Sequence, residues 1–197
     1  MQDAFVGSGA QDSHLSAEVL GSLRDLNHRF LDLTASRTTD WVAGRVAPLS
    51  AAQRAAAAGC PYALFDLRFE DDGHWQLRLQ TSGSWRVADE PAVDDATVRF
   101  VRLALFYAWH VASGGGLKAQ LLLGMSGATA AAFRRVTVNQ LSALAASEAR
   151  HLSARWSGCT AYWSALTTAA SRADPAALRR VQLHGLQLAA AARLPDA

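Results

Sequence analysis

The sequence predicts a mainly α protein: a helical bundle of two divergent repeats with a small β or irregular insert near residues 63–88. Three observations predict it. The chain is alanine-rich and nearly every cation is arginine, Lys118 being the only lysine; alanine and arginine are both good helix formers. Apolar side chains recur at helical spacing through most of the chain, and capping residues stand in front of those runs. Half of the 197 residues are hydrophobic and only 18% are charged, which supplies a full-sized core and argues against intrinsic disorder.

Residues 1–15 are rich in Gly, Ser, Gln and Asp and read as a disordered leader. Ser16 is a good N-cap, with Glu18 in the first turn of a helix whose apolar face is Leu20, Leu23, Leu26, Phe30 and Leu33. A shorter segment holds Trp41, Val42 and Val46. After Pro48, Ser50 caps the run Ala51 to Ala58, which Gly59 and Pro61 close. Residues 64–87 then alternate: Phe65, Leu67 and Phe69, then Trp75, Leu77 and Leu79, then Trp85 and Val87. By period this is a two- or three-stranded meander, with a loop and short helix as the alternative.

The helical pattern returns at Asp94. Val98, Val101, Leu105, Ala108 and Trp109 line one face, and Leu103, Phe106 and Tyr107 widen it, so this helix is expected to be largely buried. Gly114, Gly115 and Gly116 end it as a plain connection, lacking the lysine and hydroxyl spacing of a phosphate loop. Further helices are expected over Leu117 to Leu123, Ala128 to Arg135 behind Ser126, Asn139 to Ala149 behind Thr137, and Tyr162 to Ser171. Asp174-Pro175 opens the last, Ala176 to Arg193, expected to bury Leu178, Val181, Leu183, Leu186 and Leu188.

Two stretches resemble each other at an offset of 87 residues, with Gln53 aligned on Gln140. Ser50 then pairs with Thr137, Ala58 with Ala145, Phe65 with Leu152, Arg68 with Arg155, and Phe69 with Trp156. This divides the chain into a first repeat over 16–90 and a second over 91–197, sharing one core. An apolar helix precedes each copy, and the first has fewer residues between that helix and the repeat.

The chemistry expected from the residues is sparse. Formal charge is +2, so the balance neither supports nor excludes nucleic-acid binding. Cys60 and Cys159 are too few for a disulfide framework or an all-cysteine zinc site, and Cys60 reads as a buried structural thiol. None of His14, His28, His74, His110, His151 and His184 reads as paired with another His, Cys or carboxylate at metal-ligand spacing on one helix, and His28 and His110 read as partly buried imidazoles. Glu70, Asp71 and Asp72 beside His74 read as a solvated turn, with a cation or acid–base site as the alternative. No catalytic residue, metal or cofactor is expected. Leu123 to Ala146 reads first as plain helical packing without DNA and can also be read as a helix-turn-helix, in which Arg134 and Arg135 could meet phosphates and Asn139 and Gln140 bases, with Arg150 and Arg155 completing a patch only if the fold gathers them. Against that stand Val138, Leu141 and Leu144, which look like core. No signal peptide and no membrane span are expected, so the cytoplasm is the default location.

Certain residues also resemble a known family. Leu26-Asn27, Ser50-Ala51-Ala52-Gln53 and Leu67-Arg68-Phe69-Glu70-Asp71 occur in the first copy, and Leu123-Gly124-Met125-Ser126, Thr137-Val138-Asn139-Gln140-Leu141 and Arg155-Trp156 in the second. Their order resembles the D subunit of the flagellar master transcriptional activator, each copy covering about one subunit. The first copy lacks the Leu-Gly turn, and the second carries Trp156 where phenylalanine is expected. The resemblance implies a bacterial helical pseudo-dimer in one chain, or a homodimer. Its role would be in transcription regulation or as an adaptor, through protein partners and in some settings DNA. The alternative is a chaperone or secretion accessory factor that presents an apolar groove without binding DNA.

Overall fold

Among the described residues, most helices begin at a residue whose side chain accepts a hydrogen bond from the first turn. The computed structural model describes residues 16–37, 40–80 and 93–191. Ser16 caps α1 (Ala17–Ala35) and Asp40 caps α2 (Trp41–Val46). Asp94 caps α5 (Asp95–Ser113) and Ser126 caps α7 (Gly127–Phe133). Between them lie α3 (Ala51–Ala57), β1 (Phe65–Asp66), α4 (Asp72–Gln80) and α6 (Gly116–Leu123). α8 (Val138–Glu148), a 3-10 turn (Ala149–His151), β2 (Ser153–Ala154), α9 (Thr160–Ser171) and α10 (Pro175–Ala191) complete the order. Both α3 and α8 open with a capping box. Ser50 and Thr137 accept from the amides of Gln53 and Gln140, whose side chains reach back to the cap amides.

The architecture is mainly helical. α1 and α5, 19 residues each, pack on one another at the centre. α2 and α3 lie on α1, while α6, α7 and α8 lie on α5. α9 covers α2 and α3, α4 packs on α7, and α10 lies outermost on α9. One hydrophobic cluster runs through both halves, with Phe30, Phe65 and Phe100 in mutual ring contact at 5.2–6.0 Å. β1 and β2 pair antiparallel, Phe65 opposite Ala154 and Asp66 opposite Ser153. Just beyond each strand one residue turns to positive φ, Arg68 at 57° and Trp156 at 53°. A buried tryptophan then returns to each turn: Trp75 Nε1 donates to the Arg68 carbonyl at 3.0 Å, and Trp163 Nε1 to the Arg155 carbonyl at 2.9 Å.

The meander is corrected in part. Phe65 and Asp66 are strand, but Asp72–Gln80 is a helix. Its alternation of apolar residues was a false period, because Leu77 points to solvent. The buried or half-buried side is His74, Trp75, Arg78 and Leu79, which has helical spacing. Trp85, Val87 and the leader over 1–15 lie outside the described residues. Leu103, expected in the core, is exposed on α5, and so is His110.

The last helix also departs from expectation. Val181, Gly185 and Ala189 form its buried stripe, so Leu183 and Leu186 are left 60% and 39% exposed. Small residues four apart bring α10 close to its support, and Gly185 is the closest approach. A Cβ there would lie 1.9 Å from Tyr62 Oη. The Tyr62 ring is fully buried between Trp156 and Tyr162, at 5.3 and 6.4 Å, and cannot yield. Gly185→Ala is expected to cost about 1–3 kcal/mol by overpacking. Thermal unfolding would check this; an unchanged midpoint would mean that α10 rides free of Tyr62.

Candidate functional site

A carboxylate taken wholly out of water must be paired or protonated. Glu148, at the last turn of α8, is such a group, with no exposed surface. Its Oε2 lies 2.7 Å from His74 Nε2, and its Oε1 accepts from Arg78 Nε at 2.8 Å. His74 and Arg78 stand four apart on α4, so one face of that helix sends both groups to the same carboxylate. The Asp71 carboxylate accepts from the His74 backbone amide at 2.9 Å and fixes the start of α4. That hydrogen bond, followed by the contact with Arg68, holds the Asp71 carboxyl below its usual pKa.

His151 completes the cluster from the 3-10 turn, three residues after Glu148. Its ring meets His74 edge to face, centroids 5.1 Å apart. Burial holds its pKa below the ordinary imidazole value against the opposing pull of Glu148, so the neutral ring prevails at pH 7. One nitrogen or oxygen from each of His74, Glu148 and His151 lies within 4.8 Å of the others. The group can act as a clamp between α4 and α8, or offer two imidazoles and a carboxylate to a cation. The sequence reading passed over it. The signal available was the pair Glu148 and His151, three apart on one helical turn. The partner helix α4 was hidden by its strand-like alternation.

Two of the nearby acidic residues, Asp71 and Asp72, are otherwise engaged. Asp71 also pairs with Arg68, and Asp72 accepts from Ser126 Oγ and, at 3.0 Å, from Thr129 Oγ1, which ties α4 to α7. Cys60 is buried as expected. Desolvation pushes its thiol up to about 11 despite hydrogen bonds to Tyr162 and Tyr62, so it is an inert thiol at neutral pH. The 19-residue helices are not apolar enough to matter here: no helix among the described residues is long and apolar enough to cross a membrane.

The six residues considered for nucleic-acid contact separate into two groups. Arg134, Arg135, Asn139 and Arg150 are exposed, in the α7–α8 turn, on the first turn of α8 and just past its end. Gln140 spends its side chain in the capping box of α8. Arg155 is corrected: it is 5% exposed, donates to the Leu122 carbonyl at 3.3 Å and lies 4.5 Å from the Trp156 ring centroid. There it covers Gly124, whose φ of 74° ends α6 in the left-handed conformation and where a Cβ would lie 2.5 Å from the guanidinium. Arg155 is therefore a packing residue. No family model matches the chain, and no curated protein or solved structure matches it either.

Proposed function

We propose that the protein is a regulatory protein of two fused, divergent copies that works by binding, with its α7–α8 unit meeting a nucleic-acid duplex. Four pairs of local features support the two-copy reading: the capping boxes at Ser50 and Thr137, the two short strands, the positive φ at Arg68 and Trp156, and the returning indoles of Trp75 and Trp163. The strand pairing is reciprocal, as at a two-fold interface between identical subunits. α2 against α9 and α7 against α4 are likewise contacts exchanged between the copies.

The observation that carries the nucleic-acid reading is the exposure of the arginines along α7–α8. Arg134, Arg135, Asn139 and Arg150 face solvent, and the sole acid over residues 127–150, Glu148, is buried. A four-residue turn joins the helices, and Asn139 sits in the first turn of the second, where recognition helices touch bases. Fluorescence anisotropy of a random duplex is expected to rise at low salt and fall steeply as salt increases. Arg134→Ala with Arg135→Ala is expected to weaken binding roughly tenfold or more and to reduce the log–log salt slope by about two. No anisotropy change at low salt would sink this reading. It would favour instead an adaptor whose α10 takes the apolar face of an acidic partner helix. Leu183 and Leu186 are uncovered there, and Arg179 and Arg180 flank them.

A further inference from the structure

We propose that His74, Glu148 and His151 form a binding site for a divalent transition-metal cation of the zinc class. The three ligand atoms come from α4, the end of α8 and the following 3-10 turn, and they already converge within 4.8 Å. Two imidazoles and one carboxylate suit zinc, cobalt or ferrous iron, whereas calcium and magnesium take oxygen ligands. Three protein ligands leave one position open.

The geometry needs small adjustments. Metal–ligand bonds of ~2.0–2.2 Å set ligand atoms roughly 3.3–3.5 Å apart in a tetrahedron. His74 Nε2 and Glu148 Oε2, now at 2.7 Å, would part by roughly 0.6–0.8 Å as the ion replaces the proton between them, which leaves to solvent. His151 would swing inward; its ring is half-buried and makes no hydrogen bond among the described residues, so little is lost. Arg78 on Oε1 takes the part of the outer partner that orients a ligating carboxylate and leaves it one oxygen for the metal. The same guanidinium offsets part of the carboxylate charge, which weakens its pull on a cation. This inference does not rest on the nucleic-acid reading, since it uses none of Arg134, Arg135, Asn139 and Arg150.

A clamp without metal would use only His74, Glu148 and Arg78, so His151 separates the two cases. The experiment is titration of the full chain with cobalt(II), read by its ligand-field absorption, together with equilibrium dialysis against zinc(II). One ion per chain and tetrahedral-type absorption are expected. His151→Phe, which keeps the ring edge against His74 but removes both nitrogens, is expected to weaken binding at least about tenfold while leaving the circular dichroism unchanged. His110→Ala, at an exposed site on α5, is expected to bind as the parent does. Should His151→Phe fail to fold, His151→Ala gives the same readout. No ion bound by the parent chain, or binding unaffected by loss of the His151 imidazole, would overturn the proposal.

Discussion

Asn27→Leu is expected to lower the thermal midpoint by about 6–12 °C, a loss of at least ~3 kcal/mol for a chain of this size. Asn27 sits fully buried on α1 with its amide facing the segment between α3 and β1. Nδ2 donates to the carbonyls of Ala58, Cys60 and Tyr62 at 3.3, 3.4 and 2.9 Å, and Oδ1 accepts from the Leu64 amide at 2.8 Å. Two hydrogens serve three carbonyls, so one bond is shared. An irregular backbone lies in the core here, and this one side chain satisfies it. Leucine is of similar size and would leave four backbone groups without that partner, each orphan costing of order 1–3 kcal/mol before relaxation. A denaturation midpoint within error of the parent would mean that water or other carbonyls take over these bonds.

Glu148→Ala is expected to be of comparable severity, roughly 3–5 kcal/mol, because it removes the fully buried carboxylate on which Arg78 Nε and His74 Nε2 converge. Glu148→Gln should cost less, since an amide oxygen can still accept from Arg78. Urea denaturation of both variants distinguishes them. Equal midpoints would mean that the charge of Glu148 contributes nothing and that its shape alone is needed.

The parts of this fold written in local chemistry were legible. Ser16, Ser50, Asp94, Ser126, Thr137 and Asp174 mark helix starts because capping needs only a short polar side chain beside a helical run. The parts set by tertiary contact were not. α4 is a helix because Trp75, His74 and Arg78 find partners on α7, α8 and the 3-10 turn; the nine residues themselves alternate like a strand. Leu183 and Leu186 fit an apolar stripe as well as Val181 does, and only the close approach at Gly185 decides which stripe faces in. The buried carboxylate cluster fell between the two kinds. Glu148 and His151 are neighbours in sequence, but nothing local announces that α4 will deliver His74 to them.

The two-residue ladder between β1 and β2 bears on the order of folding. Phe65 and Ala154 are separated by most of a domain's length of chain, so their contact closes a long loop for very few hydrogen bonds. Such a contact of high sequence separation is entropically expensive to make early and is naturally made last. During synthesis Phe65 leaves the ribosome well before Ala154 exists, and until then the edge of β1 waits without its partner. The helices α5 to α8, built from local contacts in the interval, are the surface on which the late strand arrives.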